Sequence, residues 1–181
     1  MVGVDHLNNV EQALIDNLRT GTYNTITGDV KTAATAWSDG DITVYGQFPT
    51  TEEVKYPCII TEMVANGMET QFMGQRLTSG SSSSMGELYG VGFNIYLMVD
   101  RESSFTPGSP LSTAPYRQRR LLNYLMLNSA NILIDMDLQG ASPSTEVVER
   151  NYSGFREMGY NPQLETWNAM ASMIIVFKNS R

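Results

Sequence analysis

Residues 87–136 constrain the fold more than any other stretch of this chain. Within them, residues 88–99 alternate: Val91, Phe93, Ile95, Leu97 and Val99 take one face, and Gly90, Gly92, Asn94, Tyr96 and Met98 take the other. A period of two is the mark of a strand with one face in a core. A loop holding Pro107, Gly108 and Pro110 follows. Residues 116–136 then repeat with helical spacing through Leu121, Leu122, Leu125, Ser129, Ile132, Leu133 and Met136. Pro115 suits the helix start and Gln139-Gly140 its close. A strand with one apolar face beside a helix with one apolar stripe predicts an α+β fold. The sheet is expected to be mainly antiparallel, covered on one face by this long helix and by an N-terminal helix.

The N-terminal helix is read from Leu7, Val10, Leu14 and Leu18, which recur at three and four residues. Asp5 is placed to cap it, and Gly21 follows its end. Val30, Ala33, Ala34 and Trp37 are compatible with a short helix. Residues 42–45 read as a strand and residues 56–64 as another, with Cys58, Ile60, Glu62 and Val64 on one face. Asn66-Gly67 is a hairpin-turn signal, since both positions of the tight turn need positive φ. It makes residues 68–77 a return strand. Residues 78–86, Thr-Ser-Gly-Ser-Ser-Ser-Ser-Met-Gly, have the composition of a segment that is mobile alone. A slack linker and a loop that orders on a partner both fit it. Residues 145–156 and 164–178 read as a final strand pair, joined by a turn at residues 158–162. In the last strand Trp167, Ala169, Ala171, Met173, Ile175 and Phe177 share a face.

With 181 residues, 41% of them hydrophobic, the chain is read as one domain, 1–181, with an extended hairpin or loop around 65–87. The net charge of −7 argues against a duplex-wrapping protein, which needs Lys and Arg for phosphates. The single cysteine, Cys58, allows no internal disulfide and sits in an apolar run, where a small buried hydrophobe is expected. No stretch approaches the roughly 20 apolar residues needed to cross a bilayer. The first residues lack the basic and apolar blocks of a signal peptide. The chain therefore reads as a soluble intracellular product.

Catalytic equipment is sparse. The one histidine, His6, falls at a helix start, far in sequence from Cys58. Zinc sites and nucleophile–base pairs need more Cys and His than this. Gly90-Val91-Gly92 lacks the third glycine and the helix of a nucleotide fingerprint. Asp135, Asp137, Gly140 and Glu146 match the spacing of a calcium loop. Gln139 and Pro143 and the strand expected next break that pattern, leaving a helix end and a polar turn. A carboxylate pair for sugar hydrolysis has candidates in Glu52, Glu53, Glu62, Glu69, Glu87, Glu146 and Glu149, but few aromatic platforms go with them. No cofactor or metal site is expected.

Arg117, Arg119 and Arg120 crowd the start of the long helix, where the dipole is already positive. Two readings stay open. The arginines pair with Asp100 or Glu102 in the same chain, or with carboxylates of another subunit. Met63, Met68, Met73 and Met85 flank the turn and serine region, where flexible thioethers suit adaptable contacts.

The order of elements is similar to that of the tail terminator and neck proteins of tailed bacteriophages. The residues carrying the resemblance are Tyr56-Pro57-Cys58-Ile59-Ile60, the run Gly90-Val91-Gly92-Phe93-Asn94-Ile95-Tyr96-Leu97 followed by Tyr116-Arg117-Gln118-Arg119-Arg120-Leu121-Leu122, and the closing apolar strand, residues 170–177. The resemblance implies a structural virion protein without enzymatic activity. It implies a hexameric ring that caps the tail tube and joins it to the head connector. The expected partners are further copies of the chain, the tail-tube protein and the connector or neck protein. Genome DNA would pass through an acidic lumen without specific binding. The expected location is the virion tail or neck, after assembly in the host cytoplasm. Interface contacts are expected from Met68, Phe72, Met73, Arg76, Ser81, Ser82, Ser83, Ser84 and Met85, and from Arg117, Arg119 and Arg120. The competing readings are another virion part, such as a tail-tube or head-closure subunit, and a calcium-dependent or carboxylate hydrolase.

Overall fold

Two strands, 19 and 15 residues long, form the spine of the structure: Ser82–Asp100 and Thr166–Ser180. They pair antiparallel from Thr166↔Asp100 to Ser180↔Gly86 without a register break. The computed structural model describes residues 3–20, 22–23, 30–31, 42–50, 54–71, 76–79, 82–106, 114–136 and 145–180. In chain order its elements are α1 (Gly3–Thr20), β1 (Thr22–Tyr23), β2 (Val30–Lys31), β3 (Thr43–Tyr45), β4 (Cys58–Gln71), β5 (Arg76–Ser79), β6 (Ser82–Asp100), β7 (Ser104–Phe105), β8 (Tyr116–Arg117), α2 (Gln118–Asp135), β9 (Thr145–Tyr152), β10 (Arg156–Asn161) and β11 (Thr166–Ser180). The seven-stranded sheet runs β10-β11-β6-β4-β3, with β5 paired to β6 and β9 paired to β11. Among the described pairings, β3 alone joins in parallel. The fold is α+β with a mainly antiparallel sheet, as the patterning predicts.

The period-two pattern fixes which face is buried. Val91, Phe93, Ile95, Leu97 and Val99 of β6, and Ala169, Ala171, Met173, Ile175 and Phe177 of β11, are buried. Most of them join Val10, Leu14, Ile15 and Leu18 of α1 and Leu121, Leu122, Leu125, Ile132 and Leu133 of α2 in one core. Burying each such large side chain contributes roughly 1.5–3 kcal/mol. Arg19 donates from Nη2 to the Val44 carbonyl at 3.0 Å, fastening α1 to β3. At the other end of the molecule Arg150 donates from Nη1 to the Met136 carbonyl, which closes α2.

Several local expectations are corrected. Asn66-Gly67 does not reverse the chain. β4 runs through it, and the register with β6 slips between Val64↔Gly92 and Glu69↔Gly90, so the Asn-Gly pair lies in a bulge. The serine stretch is not a structureless loop: Arg76–Ser79 pairs antiparallel with Ser82–Met85, and residues 80–81 between them lie outside the described residues. Val30 is strand rather than helix. The long helix starts at Gln118, because Tyr116 and Arg117 are held as strand against Phe105 and Ser104. Residues 158–161 belong to β10, and the reversal falls at residues 162–165. There Asn161 Oδ1 accepts from the Gln163 amide at 2.9 Å, a side-chain turn that replaces the expected one.

Candidate assembly surface

Beyond Ser180↔Gly86 the spine loses β11, and β6 continues with β5 alone. The β5–β6 ribbon thus projects past the last β11 partner by four residues of β6, about 13 Å at strand rise. Residues 77–86 carry no charge. Ribbon edges are usually blunted by Lys, Pro or inward charges, and this segment has none. Arg76 sits in β5, Met68 in β4, and Ser82, Ser83, Ser84 and Met85 in β6. Phe72, Met73 and Ser81 lie outside the described residues.

The arginine cluster splits into different roles. Arg119 pairs with Glu157 of β10 rather than with Asp100 or Glu102. Its Nε lies 3.0 Å from Glu157 Oε1, and its Nη2 donates to Oε2 at 3.0 Å. Such a two-pronged pair ties the helix start to the β10 edge, but the arginine is 63% exposed and the contribution is small. Arg120 stacks its guanidinium 4.2 Å above the Tyr116 ring. Tyr116 in turn packs edge-on to Tyr124, which stacks on Phe105. Arg117 is the N-cap of α2 and makes no side-chain capping bond. Neither Arg117 nor Arg120 has an ion-pair partner among the described residues. Both arginines are exposed.

Next to this cluster, Arg101, Gln118, Tyr160 and Trp167 line an open cleft of about 310 Å³. Tyr160 and Trp167 pair across β10 and β11 with ring centroids 5.4 Å apart. Gln118, which lines it, is held in the left-handed region at φ 50, as is Glu165 at φ 53, two residues before Trp167. The cleft offers a cation, an amide and two rings. Among its described lining residues there is no carboxylate, histidine, serine or cysteine.

The even-numbered residues of β6 and β11 form the sheet face opposite the core. Tyr96, Met98, Met170 and Val176 are half-buried there, and Ile174 is 49% exposed. Gly92 lies opposite Ile174 and adds no side chain to that face. Glu62 shares the face, its Oε2 accepting from the Tyr96 hydroxyl at 3.1 Å. Glu149, opposite Val176, shares it too. Cys58 is fully buried, and burial with the nearby Asp100 charge pushes its thiol up to about 12. It is the inert small hydrophobe expected from its apolar run.

No group of three or more His, Cys, Asp or Glu among the described residues could hold a metal ion. The loop of the calcium-like spacing, residues 137–144, lies outside them. No described helix is long and apolar enough to cross a membrane. Sequence reasoning missed Glu157, Leu127, Ile134 and Ile174. A faint signal existed for the middle two: they are apolar residues seven apart, off the core stripe of α2. Glu157 is 38 positions from Arg119, and nothing local pairs them. Searches against protein-family models and curated proteins find no match to this chain.

Proposed function

We propose that this chain is a structural assembly protein of a tailed bacteriophage, a subunit of a hexameric ring that caps the tail tube and joins it to the head connector. One observation carries the reading: the serine-rich β5–β6 ribbon, uncharged over residues 77–86, that projects past the last β11 partner. Among the described residues, each of its strands pairs only with the other there, so both outer edges offer unmatched N–H and C=O groups. Edges of this kind bind by adding a strand from another chain. Serine and glycine side chains leave the backbone accessible and set little side-chain specificity, which suits a piece that joins a preformed tube. The resemblance of the element order to tail terminator and neck proteins supports the same role. Arg117 and Arg120 at one end, and Glu62 and Glu149 on the sheet face, have no ion-pair partner among the described residues and supply charge for contacts between copies.

In this reading the chain works as building surface. The virion tail or neck is its place, DNA passes through the ring lumen, and no reaction is catalysed. The test is a solution mass measurement with negative-stain imaging, alone and with tail-tube protein. Rings of about six subunits, or rings that form on tube ends, are expected, closed symmetry being the rule for homo-oligomers. A monomer that never joins tubes and melts higher with calcium would overturn the reading in favour of a hydrolase.

A further inference from the structure

The exposed side of α2 is not wholly polar. Arg120, Leu127 and Ile134 are spaced by seven residues, so they drift only about 20° per step and form one stripe. That stripe lies directly opposite the buried Leu122, Leu125 and Ser129. Leu127 is 52% and Ile134 55% exposed. Apolar residues on the side away from the core give this helix a stripe that a second element can cover. α2 carries Arg119 and Arg120 but only one acid, Asp135 at its end. The sheet face around Ile174 has the opposite character. Its nearest charged strand positions are Glu62 and Glu149, whereas Arg156 and Lys178 stand four residues along β11 in either direction and Asp100 eight.

We infer that α2 of one copy packs across the even-numbered sheet face of the next copy, with Leu127 on Ile174 and Arg120 facing Glu62. The inference rests on the ring reading and names the contact that closes the ring. The spacings agree. Along α2, Arg120 and Leu127 are about 10.5 Å apart at helical rise. On the sheet, Glu62 and Ile174 are two strands and two residues apart, about 12 Å at sheet spacings. Gly92 leaves room beside Ile174 for the incoming leucine. Glu62 is held in place by the Tyr96 hydroxyl, so its carboxylate stands oriented before the arginine arrives. The two surfaces belong to different sides of the molecule, so the contact is front to back. A front-to-back contact repeated with closure makes a ring, whereas a face meeting its own copy makes only a dimer.

Disulfide trapping tests the inference directly. Leu127→Cys and Ile174→Cys replace exposed side chains, and the native Cys58 is fully buried and silent. The double variant, oxidised with diamide and run on a non-reducing gel, is expected to give a ladder from dimer to closed ring. Each single variant is expected to stay monomeric on the gel. Adding Arg120→Glu to the double variant is expected to cut the cross-linked yield about tenfold at low salt. Cross-linked dimers from either single variant would mean a self-facing contact and overturn the inference. A double variant without a ladder, while the native protein forms rings in the mass measurement, overturns this contact and leaves the ring reading standing. If no ladder forms and the native protein neither assembles nor joins tubes, both fall.

Discussion

Ser153 and Ser172 exchange two hydrogen bonds where β9 gives way to β10 along β11. The Ser153 amide donates to the Ser172 carbonyl at 3.0 Å, and the Ser172 amide donates to Ser153 Oγ at 2.9 Å. β9 ends at Tyr152 and β10 begins at Arg156, so Ser153 continues the ladder along β11 where neither strand reaches. Its hydroxyl stands in for the missing carbonyl. Gly154, at φ +79, then turns the chain, a conformation that a side chain would resist. Ser172 Oγ also donates to Asn94 Oδ1 at 3.1 Å, so the tie reaches β6.

Ser153→Ala should therefore lower stability by about 0.5–1.5 kcal/mol, the net worth of one hydrogen bond. Urea unfolding is expected to show a lower midpoint with the slope unchanged. Ser153→Pro, which also removes the amide donor, should cost more. Equal midpoints for the two variants would mean that the edge is not held here.

The Arg119–Glu157 pair should prove weak. A double-mutant cycle with Arg119→Ala and Glu157→Ala is expected to give a coupling of about 0.2–1 kcal/mol that shrinks in salt, because the arginine is largely exposed. Reversing Arg117 and Arg120 to Glu should leave the melting temperature within about 2 °C of native, since neither makes an ion pair among the described residues. Ring formation should be lost in that variant. A large drop in melting would assign these arginines to the monomer.

How much of this was legible depends on the range of each interaction. The faces of β6 and β11 could be read because Phe93, Ile95, Met173 and Ile175 obey a two-residue period that no partner needs to disclose. The stripe of α2 was readable for the same reason, apart from Asn128, a fully buried polar residue that the pattern hides. Asn66-Gly67 misled because its backbone freedom serves a bulge as well as a turn, and only the continuation of β6 decides between them. Ser82, Ser83 and Ser84 misled because composition reports side-chain burial, whereas these residues are ordered through backbone pairing with residues 76–79. The sheet face proposed for contact was invisible because it depends on β4, β6, β11 and β9 lining up from distant parts of the chain.

Glu165 sits at φ 53, where an L side chain costs about 1–2 kcal/mol relative to its usual regions. Glu165→Gly should raise stability by up to about 1 kcal/mol, the gain being reduced by the greater freedom of glycine in the unfolded chain. Differential scanning calorimetry would register this as a higher melting temperature. A lower one would show that the Glu165 side chain makes a contact worth more than the strain.

Alkaline pH should destabilise the fold. The Cys58 thiol is pushed up to about 12 by burial and by Asp100, and the Tyr152 hydroxyl to about 12 by burial. In the unfolded chain these groups ionise near their ordinary values, about 8.5 and about 10. Above those values the unfolded state releases protons that the folded state keeps, so stability falls with rising pH. Their contribution is complete below pH about 8.5 and is lost as pH rises toward about 12. Melting curves are expected to drop from pH about 9 upward, and Tyr152→Phe should flatten the part above pH about 10. A native thiol that reacts with an exposed-cysteine reagent at pH about 8 would contradict the burial on which this rests.

Removing Ser81, Ser82, Ser83 and Ser84 should separate folding from assembly. The deletion takes away most of the β6 partners of β5, but the core residues of β6 begin at Val91, well inside the β11 pairing. Melting temperature and far-ultraviolet circular dichroism should stay close to native, while ring formation or capping of tubes is lost. A milder variant addresses the edge itself. Ser83→Lys keeps the length and register but places a charge inside the uncharged stretch of residues 77–86, the device that protects natural edges from pairing. It should weaken assembly without changing the fold. If both variants assemble as well as the native chain, the ribbon is not the surface that meets the tube, and the ring must be held by the α2 and sheet faces alone.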